Sequence, residues 1–240
     1  MSLGCVAASA NAESFFQLEA GVGFADYTKT GNGIYYDEGF SNKTPTTFPA
    51  FRAGVVLTPI DARPRSWVPG LRLHLDYLYF GRLSWDAQAP QDAGDFTARG
   101  LVGGYDPVSK TCLNNECGQM SDFRSSGQIQ ALALTAEPYW DIGGGWTLGV
   151  EAGPAIYRTT WTTDAVVETD GWKLGPPGTV HVLTTSPALH VGALVGASVS
   201  KGHFSLRYNY IYAPIHYGST DSESPAGVKG AHMLSVNYTW

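Results

Sequence analysis

The chain is short of charge. Only 15% of its 240 residues are Asp, Glu, Lys or Arg, against about 25% in ordinary soluble domains. Basic residues are the scarcer kind, with Lys and Arg at 15 against 21 Asp and Glu, for a net charge of −6. No basic patch is visible, which argues against nucleic acid as a partner. No run approaches about 18 consecutive apolar residues, which excludes a transmembrane helix. Three cysteines are too few for a small disulfide scaffold or a zinc site. No nucleotide loop, catalytic constellation or metal cluster occurs, so neither a cofactor nor a metal is expected. The missing charge is replaced by 29 Gly and 12% aromatics in a chain that is 43% apolar, too apolar for disorder. What remains is an all-β chain, either a soluble barrel or a membrane barrel.

Period-two alternation over about ten residues, the pattern of a membrane-spanning strand, recurs along the chain. It predicts eight strands: Phe15–Phe24, Ala50–Thr58, Leu71–Phe80, about Gln128–Trp140, Trp146–Tyr157, Leu189–Val199, Phe204–Tyr212 and a last one from about Ala231. In the third, Leu71, Leu73, Leu75, Tyr77 and Tyr79 alternate with Arg72, His74, Asp76, Leu78 and Phe80. Pro154 inside the fifth predicts a bulge or an early edge, because proline has no N–H for the ladder. Ten residues at about 3.3 Å, tilted about 45°, rise roughly 23 Å, the height of an outer-membrane apolar band. Segments 141–145, 200–202 and the longer 59–70 read as turns. Segments 25–49, 84–127, 158–187 and 213–230 read as long polar loops. Short periplasmic turns and long extracellular loops have this asymmetry.

None of the eight predicted outward faces carries a formal charge; at the bilayer midplane one would cost about 2–4 kcal/mol. The inward faces carry Glu19, Arg52, Arg72, Asp76, Glu137, Glu151 and Arg207. A soluble barrel fills its interior with apolar side chains, so this inversion selects the membrane reading. Four acids and three arginines predict a lumen ion-pair network, with His74 and His190 as further titratable positions. Arg207 is placed with Glu19, Asp76 and Glu151, and Arg72 with Glu137. Its removal is expected to open the lumen. The other use of the same group is a gated narrow pore. The aromatics predict two girdles: Trp140, Trp146, Phe204 and Trp240 at the turn ends, and Phe24, Tyr79, Tyr157, Trp161, Tyr210 and Tyr212 at the loop ends.

Residues Ala8–Ala12 read as the small-residue end of a secretory signal peptide, cleaved after Ala12, which leaves 13–240 as one barrel domain. Cleavage removes Cys5 and leaves Cys112 and Cys117, expected as a disulfide in an oxidising compartment. At the other end Trp240, Tyr238, Val236 and Leu234 alternate with polar residues. This segment resembles the terminal signal of bacterial outer-membrane barrels, which the assembly machinery reads. With the strand pattern, the chain resembles the eight-stranded outer-membrane barrels, the broad group of the OmpA membrane domain and the OmpX-like and OmpW-like proteins. The resemblance implies an eight-stranded antiparallel up-and-down transmembrane barrel, monomeric, in contact with outer-membrane lipid and lipopolysaccharide. It implies that surface loops do the work, through adhesion, host or phage contact, or envelope integrity, with the ligand unnamed. A narrow channel for small or apolar solutes is the alternative. His216, Ser219, Asp221 and Glu223 faintly resemble the site of the barrel lipid A deacylases. Gly218 breaks that family's His-x-Ser-Asn order and Thr220 stands for the Asn, so no enzyme is expected.

Overall fold

The structure is a computed structural model that describes residues 16–30, 47–64, 66–90, 105–106, 111–112, 120–167, 178–184, 188–214 and 227–240. The expectations for residues 1–12, for the His216, Ser219, Asp221 and Glu223 group, and for a bridge to Cys117 fall outside the described residues.

The strands are β1 (Phe16–Thr30), β2 (Thr47–Ile60), β3 (Gly70–Pro90), β4 (Tyr105–Asp106), β5 (Thr111–Cys112), β6 (Met120–Gly143), β7 (Trp146–Val167), β8 (Gly178–Thr184), β9 (His190–Lys201), β10 (Phe204–Tyr212) and β11 (Gly227–Thr239). β4 and β5 pair with each other, and β8 lies along the far end of β7. The other eight run antiparallel in the order β6-β3-β2-β1-β11-β10-β9-β7, and β6 pairs with β7 to close the wall. The first and last strands meet at a seam running from Glu19↔Thr239 to Thr30↔Gly227. The chain is therefore a closed eight-stranded antiparallel barrel, as its alternation predicts.

The strands outrun their predicted ends. β1 continues to Thr30, β3 to Pro90 and β7 to Val167, while β6 starts at Met120 and β11 at Gly227. All four segments expected as loops thus contain strand. The reason is that hydrophobic alternation stops at the membrane boundary while backbone pairing does not. Next in line beyond the outward-facing Phe24, Tyr79, Leu132 and Ile156 stand Asp26, Arg82, Gln130 and Arg158. Tyr79 Oη donates to Gln128 Oε1 (3.2 Å) and Arg82 Nη2 to Ser126 Oγ (3.0 Å). Below this polar rim Phe16, Val22, Leu134, Leu148, Val150, Leu234 and Val236 stand 43–57% exposed. A continuous apolar belt of this kind has no place in water. On β7 it runs from Trp146 to Ile156, roughly 23 Å of rise.

Pro154 neither bulges nor ends β7. Pairing with β9 is unbroken from Trp146↔Lys201 to Tyr157↔His190, and only the β6 side skips Gly153 and Pro154. A strand residue in an antiparallel ladder directs its N–H and C=O to one neighbour, so the missing donor costs one rung on one side.

Candidate functional site in the barrel lumen

Inward side chains alternate with the lipid-facing ones, and the pairing register stacks them in two layers. The layer nearer the turns is charged. Gly21↔Arg52, Glu19↔Gly54 and Gly54↔Asp76 put β1, β2 and β3 side by side at that level, with a small residue beside each long side chain. A Cβ on Gly54 would meet the Asp76 carboxylate, and one on Gly149 would meet Glu137 and Ser198. These glycines make room for the network.

Arg52 sits at its centre, 1% exposed. Its Nε lies 3.1 Å from Glu19 Oε1. Nη1 and Nη2 grip Glu151 at both oxygens, at 3.1 and 3.0 Å, a bidentate geometry that fixes direction as well as charge. Nη2 also donates to Asp76, and Nη1 to Asn209 Oδ1 (3.3 Å). Arg207, from β10, shares Glu19 (3.2 Å) and Glu151 (3.3 Å) with Arg52 and adds Glu137 at 3.3 Å. Asp76, expected beside Arg207, is held by Arg52 instead. Arg72 lies 3.8 Å from Glu137, with its guanidinium 3.8 Å above the Tyr139 ring. His74 Nε2 is 2.6 Å from Glu137 Oε2.

Neutral side chains complete the layer. Thr135 Oγ1 donates to Glu151 (2.5 Å), Asn209 Nδ2 to Glu151 (3.1 Å) and Ser198 Oγ to Glu137. Sequence reasoning left these three out because it counted formal charges alone; each lies on the inward face of its strand, which was the available signal. The chemistry is that of a clamp. Every one of the four carboxylates has a guanidinium partner. Among the described residues no His, Cys, Asp or Glu cluster is arranged to hold a metal ion.

The layer nearer the loops is apolar. Leu78, Phe80, Leu83, Leu194 and Ile211 are fully buried, and Ile129, Met233, Tyr157 and Trp161 are 1% exposed. The expectation of a polar lumen therefore holds for its lower half only. Tyr157 and Trp161, expected in the outer girdle, are lumen residues. They occupy odd positions on β7, opposite the lipid-facing Trp146, Leu148 and Val150, and alternation sends them inward. Two tyrosine hydroxyls here are tied to backbone. Tyr27 Oη donates to the Gly81 carbonyl (2.8 Å) and accepts from Ile129 N–H (3.1 Å), and Tyr157 Oη donates to the Pro214 carbonyl (2.9 Å). The first of these bridges the ladder irregularity between Tyr79 and Arg82.

The remaining girdle residues are outward. Trp146, Phe204 and Trp240 are exposed and Trp140 half-buried at the turn end; Tyr212 is exposed and Tyr79 and Tyr210 half-buried at the loop end. His232, on β11, also faces outward, its Nδ1 2.6 Å from Tyr208 Oη.

A closed wall, an apolar belt outside and a filled interior define an eight-stranded transmembrane β-barrel of the outer-membrane type. No protein-family model and no curated protein matches the chain. Among solved structures it is similar to Neisserial surface protein A, with 14% identity, 94% of this chain and 96% of that one covered, and a TM-score of 0.38. It is also similar to Ail, the attachment invasion locus protein of Yersinia pestis. With the heparin analogue sucrose octasulfate bound, that structure shows 9% identity, covers 94% and 97% of the two chains and gives a TM-score of 0.38. A second Ail structure gives 10% identity, the same coverage and a TM-score of 0.36.

Proposed function

We propose that the chain acts in the bacterial outer membrane as a sealed scaffold that presents its loop end to the outside. Adhesion, host or phage contact, or envelope integrity is the work assigned to those loops. The observation that carries this reading is the double closure of the lumen, charged below and apolar above. An interior filled by side chains has no path for solute, which leaves the wall and its loop end as working surfaces, and loops on a rigid scaffold commonly carry binding. Catalysis has no support in the lumen, where each carboxylate is engaged by a guanidinium. Outer-membrane lipid and lipopolysaccharide are the proposed surroundings of the belt. The outward row Leu234, Val236, Tyr238 and Trp240 is the proposed segment for the assembly machinery. The test is conductance of the full chain, folded into planar bilayers, where small or rare openings are expected. A large, steady, ohmic conductance would replace this reading with the narrow channel.

A further inference from the structure

The turn between β2 and β3, residues 61–69, is fastened to the barrel rim from both sides. Ala62 N–H donates to Tyr139 Oη (3.1 Å), and Tyr139 is the lumen-facing ring beneath Arg72. The Trp67 carbonyl accepts from Trp140 Nε1 (3.1 Å), and Trp140 belongs to the outward face. Consecutive residues of a strand point to opposite sides of the wall, so the turn starts at the lumen mouth and crosses to the lipid side. Within it Ser66 N–H bonds the Arg63 carbonyl (3.1 Å) and Val68 N–H bonds Ser66 Oγ (3.1 Å). The backbone is pinned, yet Trp67 is 95% and Val68 63% exposed. Beside them at the same end stand the outward Ile60, 54% exposed, and Ile142, 58% exposed. The turn thus extends the lipid-facing belt downward and outward, with Arg63 exposed on it.

We propose that this turn is a lipid anchor, lying against the bilayer leaflet at the turn end with Trp67 and Val68 sunk into the boundary between headgroups and acyl chains. Tryptophan suits that boundary because its ring is apolar and its N–H polar. Continuity with Ile60, Trp140 and Ile142 commits the patch to a phospholipid surface. The anchor fixes the depth of the barrel on its β2–β3–β6 side. The inference rests on the membrane reading given above.

The full chain, folded into vesicles of phosphatidylcholine brominated high on one acyl chain, is compared with its Trp67→Phe variant. The difference between the two emission spectra isolates Trp67. The expected Trp67 signal is blue-shifted, loses most of its intensity to the brominated lipid and resists iodide in the water phase. A red-shifted Trp67 signal that iodide quenches and bromine leaves untouched overturns the anchor and frees the turn for a soluble partner. In the variant, the six remaining tryptophans, among them Trp140, Trp146 and Trp240 on the outward face, report the rest of the barrel. Quenching of the variant's emission without quenching of the Trp67 signal sinks the anchor alone; no quenching of either sinks the membrane reading and the anchor with it.

Discussion

The two halves of the lumen are closed by opposite chemistry. Near the turns, Arg52 and Arg207 are ringed by Glu19, Asp76, Glu137 and Glu151; near the loops, Leu78, Phe80, Leu194 and Ile211 pack with no formal charge among them. Both are dry. The charged half depends on completeness, because removing one member leaves the others buried and uncompensated. The apolar half depends on volume, because truncation leaves a void and little else. The interior of so narrow a barrel thus behaves as a core whose composition is free, provided that each group placed there is satisfied.

The largest effect is expected from Arg52→Ala, which strands Asp76 and takes one of two guanidinium partners from Glu19 and Glu151, and should cost about 3–5 kcal/mol, read as a fall in the urea midpoint of the folded barrel in micelles. Moderate salt should leave that loss unchanged, since buried pairs are poorly screened. A salt-sensitive loss would show that water reaches the network. Ile211→Ala should cost about 2–4 kcal/mol by the same assay, with no salt dependence either way. Because the halves close in series, Arg207→Ala alone should destabilise without opening a steady conductance. The buried apolar layer is the reason to expect that more than the loss of Arg207 is needed before the lumen opens. Steady current should need Arg207→Ala joined to Leu78→Ala and Ile211→Ala; current from the single variant would mean that the upper half leaks. Gly149→Ala should cost about 1–3 kcal/mol by overpacking, because the new Cβ lands on Glu137 and Ser198. Smallest for the barrel is the proposed Cys112–Cys117 bridge, whose short loop limits it to about 2–3 kcal/mol of local effect. Thiol labelling of the unreduced, mature chain should find no free cysteine, and reduction should leave the urea midpoint in place.

Strand phase was legible because a period of two survives wherever one face meets lipid. That phase put Glu19, Arg52, Arg72, Asp76, Glu137, Glu151 and Arg207 inside, and the structure places all seven in one layer. Partner choice was not legible. Whether Asp76 goes to Arg52 or Arg207 depends on strand tilt and stagger, which alternation does not encode. Strand length was not legible either, because above the belt the outward faces of β3, β6 and β7 meet polar surroundings, and Arg82 and Arg158 look like loop residues. Tyr157 misled for a different reason. An aromatic at the loop end fits a girdle by height, and its odd position on β7 was the signal to follow.

The sequence distances spanned by the charged layer bear on how the barrel is made. Arg207 and Glu19 are 188 residues apart, Arg52 and Asn209 157, Arg52 and Glu151 99. Contacts of such high order return nothing until the intervening chain has been gathered, which makes formation slow. A sheet holding only β1 to β3 already has Arg52 beside Glu19 and Asp76 but lacks Glu151 and Arg207. In lipid such a fragment would expose charged groups and open strand edges, and hydrocarbon tolerates neither. Completion of the layer, with Arg207 against Glu19, therefore waits for β11 to reach β1. Insertion and seam closure become a single event, and the ion layer serves as the check that the wall is whole.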